Sequence, residues 1–88
     1  MIADNEKLKR FEMKIEGETV FANYRIENQV LYINYVEAPE SLRGTGAAGK
    51  LMEDIMKTAK DRDFKIVPIC GYAVSWIKRH PEYQSLLK

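Results

Sequence analysis

The stretch Arg43-Gly44-Thr45-Gly46-Ala47-Ala48-Gly49-Lys50 holds three of the five glycines in this chain of 88 residues. It stands between a segment predicted to be a strand and the start of the longest predicted helix. Small residues at a helix start leave the backbone N–H groups open to an anion, and the helix dipole adds roughly half a positive charge there. The sequence therefore predicts a phosphate or diphosphate site at this turn.

The residues after the glycine turn have the period of an amphipathic helix. Apolar side chains recur at i, i+3, i+4, i+7 and i+11, on Ala48, Leu51, Met52, Ile55 and Ala59. The spacing predicts a helix that runs to about Asp61 with this stripe in the core. The opposite face carries charged residues, among them Glu53 four residues before Lys57, and is expected to be solvated.

Upstream of the turn, apolar residues alternate along two segments, Phe11, Met13 and Ile15 in the first and Val20, Ala22, Tyr24 and Ile26 in the second. A period of two predicts half-buried strands, the first ending at Gly17. The polar residues 27–29 are few enough to turn the second strand back into a third over residues 30–36. Together these segments predict an antiparallel meander of three strands.

Downstream of the long helix, residues 64–70 form a nearly continuous apolar run, which predicts a strand covered on both faces that returns beside its neighbour. Pro68 cannot donate a hydrogen bond, so this strand must leave one edge unpaired near its end or splay from the strand beside it. A shorter helix, ending before Pro81, is predicted to turn three side chains inward: Ala73, Trp76 and Ile77. Residues 82–88 carry no clear pattern.

The overall composition limits the classes of protein and site. With 88 residues, 45% of them hydrophobic, the chain is predicted to be one folded domain over residues 1–88. Its 14 basic and 13 acidic residues are mixed, which argues against a nucleic-acid-binding protein. No signal peptide or membrane span is apparent, so a cytoplasmic protein is expected. The single cysteine, Cys70, excludes an internal disulfide and a multi-cysteine metal site, and no metal is expected.

Two nucleotide-binding motifs share the letters of the glycine turn. A dinucleotide fingerprint, G-x-G-x-x-G, needs an acidic residue that closes the next parallel strand, whereas Asp61 and Asp63 precede that strand. A P-loop, G-x-x-x-x-G-K, needs a Ser or Thr hydroxyl where this chain has Leu51, and it also needs a larger domain. Neither motif fits the predicted elements around the turn.

A third pattern, Q/R-x-x-G-x-G/A, is met by Arg43, Gly46 and Ala48 and resembles the acetyl-CoA loop of the GNAT superfamily of N-acetyltransferases. That loop follows an antiparallel strand and opens a long helix, as predicted here. From Phe11 onward the chain resembles the small YjdJ-type branch of the superfamily. The residues that carry this resemblance are Phe11, Gly17, Ala22, Tyr24, Ala38, Pro39, Leu42, Arg43, Gly44, Gly46, Leu51, Lys65, Ile66, Pro68, Cys70, Tyr72, His80, Pro81, Glu82 and Tyr83.

The resemblance implies an α/β (α+β) fold of minimal GNAT type, with antiparallel N-terminal strands, the long helix after the acetyl-CoA loop, a splayed fourth strand and a short C-terminal helix. In such a fold the pantetheine arm of coenzyme A lies in the gap at the splay. Pro68 would lose little there, because its missing N–H would fall on the edge that opens. The resemblance also implies acetyl-CoA as co-substrate and eight cofactor-binding residues: Val36, Ala38, Arg43, Gly44, Thr45, Gly46, Ala47 and Ala48.

Three residues are candidates for the chemistry. Cys70 ends the predicted fourth strand and could accept the acetyl group as a thiolate, although most free cysteines are small buried hydrophobic residues. Glu37 could act as a base and Tyr35 as an acid, although both side chains also suit an ordinary strand. Members of the branch commonly carry a histidine in a His-Thr-x-Val run where this chain has Tyr35-Val36-Glu37-Ala38. The only histidine, His80, is expected to cap the last helix.

Besides nucleotide binding through the P-loop letters, which predicts Mg²⁺-dependent affinity for ATP, two functions stay open at the level of the sequence. One is an acetyl-CoA-dependent N-acetyltransferase that acts on an unidentified amine. The other is a non-catalytic module that binds acetyl-CoA, coenzyme A or a partner, which the missing histidine and the short chain favour. The expected partners are acetyl-CoA and an amine acceptor, without nucleic acid or membrane. The chain is expected to be a monomer or a weak homodimer, because an exposed sheet edge could be covered by pairing.

Overall fold

Five strands and two α-helices organise the chain, of which the computed structural model describes residues 2–88. The strands are β1 (Ala3–Asn5), β2 (Arg10–Ile15), β3 (Glu18–Glu27), β4 (Val30–Glu37) and β5 (Lys65–Pro68). The helices are α1 (Ala47–Asp61) and α2 (Gly71–Lys78), with short 3-10 helices at Glu40–Leu42 and Pro81–Leu86. This mixed architecture confirms the predicted fold class.

The strands form one sheet in chain order, from β1 to β5. Strands β1 to β4 are antiparallel neighbours, whereas β5 lies parallel to β4 because α1 carries the chain back along the sheet. The predicted meander and the helical crossover are therefore confirmed. Strand β1 is not predicted by the sequence, because its residues show no apolar alternation. The Tyr24 hydroxyl donates a hydrogen bond to Asp4 and ties β1 to the sheet.

Helix α1 buries one stripe of side chains against the sheet. Its buried residues are Ala47, Leu51, Met52, Ile55, Met56 and Ala59. Four of the five predicted stripe residues are among them. Ala48 is only partly buried, because it faces a cleft at the start of the helix. Complete burial of a Leu, Ile or Met side chain contributes about 1.5–3 kcal/mol, so this stripe fixes α1 on the sheet.

The sheet has one packed face and one face that is largely open to solvent. Side chains from both α1 and α2 belong to a single core cluster on the packed face. The prediction that residues 64–70 are covered on both faces is wrong. Ile66 is buried in the core, but Ile69 is 51% exposed, because no element packs over the other face of β5. Ile26 is also 39% exposed, since it lies beside Arg62, where α1 has already ended.

A β-bulge in β4 decides which of its side chains face the helices. Adjacent residues 23 and 24 of β3 are opposite Tyr35 and Ile33, so Asn34 is an extra residue in β4. Before the bulge, Ile33 points into the core. The extra residue shifts the alternation by one position, so Val36 packs against the core and Tyr35 is exposed on the other face.

The C-terminal residues cover the outer edge of β5. Leu87 forms a parallel bridge with Ile66, and the Lys88 N–H donates to the Ile66 carbonyl at 3.1 Å. The Gln84 side-chain amide donates to the Ile77 carbonyl at 2.7 Å and holds the second 3-10 helix against α2. These contacts are hydrogen bonds to the backbone, which leave no apolar period in the sequence.

We expect Leu51→Ala to lower the free energy of unfolding by about 2–5 kcal/mol, because Leu51 is fully buried and its truncation leaves a cavity under α1. Lys57→Ala, on the exposed face of the same helix, should change it by less than about 0.5 kcal/mol. Urea unfolding followed by circular dichroism measures both values. Equal effects of the two substitutions would contradict the packing described for α1.

Candidate functional site

The pairing between β4 and β5 ends halfway along β4 and leaves a gap. The last paired residues are Ile33 and Pro68, whereas β4 continues to Glu37. The Ile33 carbonyl accepts the N–H groups of Ile69 at 2.9 Å and Cys70 at 3.2 Å, and the chain then enters α2. Residues 34–37 of β4 therefore have no strand beside them on this side. The predicted splay of the strand after the long helix is confirmed.

Pro68 fits this strand for a reason that differs from the expected one. Successive residues of a strand direct their N–H groups to opposite edges. The Ile69 N–H points to β4, and the Ile66 carbonyl points to Lys88 on the outer edge. The nitrogen of Pro68 therefore faces the outer edge of β5 and not the edge that opens toward β4. The missing N–H costs little because that outer edge is unpaired at Pro68.

The glycine turn is held in a left-handed conformation at two positions. Gly44 has φ of 82° and Gly46 has φ of 85°, a region that side chains with a Cβ enter at a cost. Between them, the Thr45 N–H and hydroxyl both donate to the Leu42 carbonyl, at 3.2 Å and 2.5 Å. Thr45 therefore closes the turn internally.

The start of α1 presents a group of open backbone donors. Gly46 is its N-cap, and no side chain caps the helix. The first bond of the helix is from the Lys50 N–H to the Gly46 carbonyl at 3.1 Å. Within residues 2–88, the N–H groups of residues 46–49 have no hydrogen-bond acceptor. Four N–H groups and the positive end of the helix dipole therefore face outward together, as anion binding requires.

A cleft of about 420 Å³ lies in front of these N–H groups. It is lined by Val36, Ala38, Leu42, Arg43, Gly44, Gly46, Ala47, Ala48 and Tyr72. Seven of the eight predicted cofactor-binding residues are in this list. Thr45 is not, because its donors are turned to Leu42. Leu42 and Tyr72 also line the cleft, although the sequence pattern does not predict Leu42 there and favours packing as the first role of Tyr72.

Arg43 links the loop to the end of β4. Its Nε donates to the Ala38 carbonyl at 3.2 Å, and its Nη2 lies 3.3 Å from Glu37 Oε2. Since Arg43 is largely exposed, solvent screens this ion pair and it adds little to stability. Its role is to orient the loop relative to β4.

Tyr35 and Glu37 form a pair on the open face of β4. The Tyr35 hydroxyl donates a hydrogen bond to Glu37 Oε1. This bond, with a smaller contribution from Arg43, holds the pKa of Glu37 below its usual range. The same bond and the charge of Glu37 raise the pKa of Tyr35. At neutral pH the pair therefore consists of a neutral phenol and an ionised carboxylate.

Cys70 lies where the gap begins. It is the N-cap of α2 and a half-buried free thiol. The hydrogen bond to Glu37 is the main cause that raises the pKa of Tyr35, and burial is the main cause that raises the pKa of Tyr72. A charge on Cys70 contributes to both increases. Cys70 is therefore close to Tyr35 on the open face and to Tyr72 in the cleft. Of the three predicted chemical groups, Tyr35 and Glu37 are hydrogen-bonded to each other, and Cys70 lies at the start of the same gap.

His80 lies at the end of α2 and away from the cleft lining. Its Nδ1 is 2.7 Å from the Trp76 carbonyl in the last turn of α2, and its ring stacks on the Trp76 indole with centroids 3.7 Å apart. The predicted role of His80 as a residue that caps the helix is confirmed. Trp76 is almost completely buried, as expected for a packing residue.

Among residues 2–88, no group of three or more His, Cys, Asp or Glu side chains is arranged to hold a metal ion. No helix in the same residues has the length and apolar composition needed to cross a bilayer.

Comparison with known proteins identifies the family. A family profile described as GCN5-related N-acetyl-transferase matches residues 10–86. The chain belongs to the GCN5-related N-acetyltransferases. Membership of this family makes the protein an acetyltransferase, and it confirms the resemblance to the GNAT superfamily. Assignment to the YjdJ-type branch stays a prediction.

The fold of this acetyltransferase is shared with a solved structure. The solution structure of a GCN5-like protein from Staphylococcus aureus matches with a TM-score of 0.72 and 20% sequence identity. The match covers 100% of this chain and 87% of that chain. A search of curated protein sequences finds no match.

We expect Gly44→Ala to lower the free energy of unfolding by about 1–2 kcal/mol, because the alanine Cβ is strained at φ of 82°. Gly71→Ala provides the control, since Gly71 starts α2 without a positive φ and its added Cβ meets no atom within 4 Å. That substitution should stabilise the fold by about 0.4–1 kcal/mol. Urea unfolding of both variants checks the difference in sign, and a loss of stability in both would be inconsistent with a left-handed Gly44.

Proposed function

We propose that this acetyltransferase uses acetyl-CoA and transfers its acetyl group to a primary amine. The observation that carries the proposal is the set of open N–H groups at residues 46–49, which face a cleft next to the β4–β5 gap. This arrangement fits a ligand in which a diphosphate is joined to a narrow arm. Coenzyme A has that shape, and the family generally uses acetyl-CoA.

The roles of the cleft residues follow from their size and position. The N–H groups of Gly44 and residues 46–49 would bind the diphosphate, while Ala47 and Ala48 leave room for it. Val36 and Ala38 would pack against the arm, and the unpaired edge of β4 beyond Ile33 would supply its peptide groups as hydrogen-bond partners. When bound, acetyl-CoA supplies an activated acetyl thioester.

The acceptor amine is proposed to approach from the open face, beside Tyr35 and Glu37. Glu37 would accept the proton that the amine loses, and Tyr35 would return a proton to the leaving thiolate. Their protonation states suit these roles, since Glu37 stays ionised and Tyr35 stays protonated at neutral pH. The lowered pKa of Glu37 also makes it a weak base, so much of the cost of deprotonation would fall on the acceptor itself.

A two-step route through Cys70 is the alternative mechanism. The Cys70 thiolate would attack the thioester carbonyl, form a new C–S bond and release the thiolate of coenzyme A, which takes up a proton. The amine would then attack the acetylated Cys70 and regenerate its thiolate. The position of Cys70 at the mouth of the gap supports this route.

A second candidate function is a module that binds acetyl-CoA or a partner without turnover. The observation that favours it is the hydrogen-bonded state of Tyr35 and Glu37, which already satisfy each other and Arg43. The departure from the branch's histidine in β4 points the same way. Release of free thiol from acetyl-CoA in the presence of a library of amines separates the two candidates, because only the enzyme produces it.

We further propose that the chain acts as one domain, as a monomer or weak homodimer, without nucleic acid or membrane partners. A single core cluster supports the first statement, and the balance of charges supports the last. A half-buried free thiol suits a reducing compartment, which supports a cytoplasmic location.

We expect Ala48→Asp to weaken coenzyme A binding at least about tenfold, because its carboxylate would lie in the cleft against the diphosphate. The same carboxylate interacts favourably with the helix dipole, so the free energy of unfolding should not fall. Ala48→Ser is the matched control and should bind almost as well as the wild type. Titration calorimetry measures the affinities, and no detectable affinity of the wild type for coenzyme A would refute the proposed function.

The two-step route predicts a mass increase of one acetyl group on the wild type after incubation with acetyl-CoA. Cys70→Ala should show no such increase and should lose transfer to amines by at least about a hundredfold. Mass spectrometry of the intact protein at several time points checks this. If the wild type never carries the acetyl group and Cys70→Ala retains activity, transfer is direct.

A further inference from the structure

The indole N–H of Trp76 is a donor that no group within residues 2–88 accepts. Trp76 is only 3% exposed, and within residues 2–88 its Nε1 makes no hydrogen bond. No buried side-chain nitrogen or oxygen in these residues is left without a partner, so Nε1 keeps access to solvent. Nε1 lies 3.3 Å from the position that a Cβ on Gly49 would occupy, beside the first turn of α1. The donor therefore lies beside the helix start whose own N–H groups are open.

The hydroxyl of Tyr72 is a second donor at the same place. It lies 3.8 Å from the same Cβ position on Gly49, and Tyr72 lines the cleft. No hydrogen bond from this hydroxyl occurs among the residues that the structure describes. Burial raises the pKa of Tyr72, so the phenol keeps its proton and remains a donor.

The electrostatic surroundings of these two donors favour an anion. Arg79 is close enough to Tyr72 for its positive charge to oppose the rise in the tyrosine pKa. The positive end of the α1 dipole lies on the other side, and no Asp or Glu lines the cleft. Two neutral donors and a helix start therefore lie close together, with the charge of Arg79 near enough to act on Tyr72.

We propose that the Tyr72 hydroxyl and the Trp76 indole N–H form a second wall of the diphosphate site and donate hydrogen bonds to phosphate oxygens. This inference rests on the proposed use of acetyl-CoA. Gly49 leaves the space that this arrangement needs. A Cβ there would crowd Nε1 and separate the two donors from the open N–H groups of residues 46–48.

The aromatic residues around Trp76 hold its donor in place. The His80 ring stacks on the indole at 3.7 Å, and the Tyr83 ring lies 5.8 Å away at an interplanar angle of 20°. A donor that is fixed before the ligand arrives loses little side-chain entropy on binding. Trp76 is thus both a packing residue and a pre-oriented donor.

Tyr72→Phe tests the hydroxyl, and Tyr83→Phe is the matched control, because it removes the same atom from a tyrosine that stacks near Trp76 but lies outside the cleft lining. The probes are coenzyme A, its nucleotide half, which carries the diphosphate, and pantetheine, which does not. Tyr72→Phe should weaken binding of the first two about tenfold and leave pantetheine unchanged. Tyr83→Phe should bind all three like the wild type.

Different outcomes contradict different statements. If the wild type binds neither coenzyme A nor its nucleotide half, the proposed function fails. If the wild type binds them and Tyr72→Phe binds equally well, only this inference fails. It also fails if Tyr72→Phe loses affinity for pantetheine alone, or if its turnover falls with unchanged affinity, since the hydroxyl would then act on the arm or on the chemistry.

The donor on Trp76 can be tested without a substitution in the core. Because the chain contains one tryptophan, its indole N–H gives a single signal in a ¹⁵N-labelled sample. Addition of the nucleotide half of coenzyme A should move this proton signal downfield and slow its exchange with solvent, whereas pantetheine should do neither. A signal that stays unchanged on saturation with the nucleotide would overturn the role of Trp76.

Discussion

The pairing of β4 with β5 ends at one carbonyl oxygen, and the site depends on where it ends. The oxygen of Ile33 accepts two N–H groups from the end of β5, and no later residue of β4 pairs with that strand. The bulge at Asn34 follows at the next residue, so β4 loses its neighbour and changes the direction of its side chains at one point. The gap therefore has a packed side at Val36 and an open side at Tyr35.

The glycine-rich turn depends on its glycines for two different physical reasons. Gly44 and Gly46 are needed for their left-handed backbone, which shapes the turn and uncovers the start of α1. Gly49 has no such backbone, and its constraint is the indole of Trp76, which approaches from α2. The spacing that matches a dinucleotide fingerprint therefore arises from a turn and a helix contact together.

The parts of the fold that the sequence predicts are those in which burial imposes a period. The meander, α1 and α2 follow from alternating or helical spacing of apolar residues, because each element packs one side against a single core. Strand β1 and the segment after Pro81 are tied to the fold by hydrogen bonds, such as those from Tyr24 to Asp4 and from Gln84 to Ile77, which leave no period. The apolar residues that this segment packs on the core are too few to show one. The prediction that residues 64–70 are covered on both faces is wrong, because an apolar run does not indicate how many faces are packed.

The sequence predicts the cleft better than it predicts the open face of β4. The cleft lining follows from small residues at a helix start and from the family resemblance, so seven of eight expected residues lie there. The position of Tyr35 could not be predicted, because a one-residue bulge leaves no mark in the letters and reverses every later side chain of β4. If Asn34 were paired regularly and the alternation of β4 continued without a bulge, Tyr35 would point to the helices and Val36 away from them.

The reversal at the bulge has an electrostatic consequence for the proposed reaction. The diphosphate is an anion, and the cleft favours it electrostatically because the lining has no carboxylate. The acceptor amine is a cation before it loses its proton, and the carboxylate of Glu37 lies on the opposite face of β4. Arg43 stands between them, with an ion pair to Glu37 at 3.3 Å, and reduces the field of the carboxylate toward the cleft. Two oppositely charged reactants can therefore approach one strand from its two faces. A small domain then needs no separate layer of structure for each reactant.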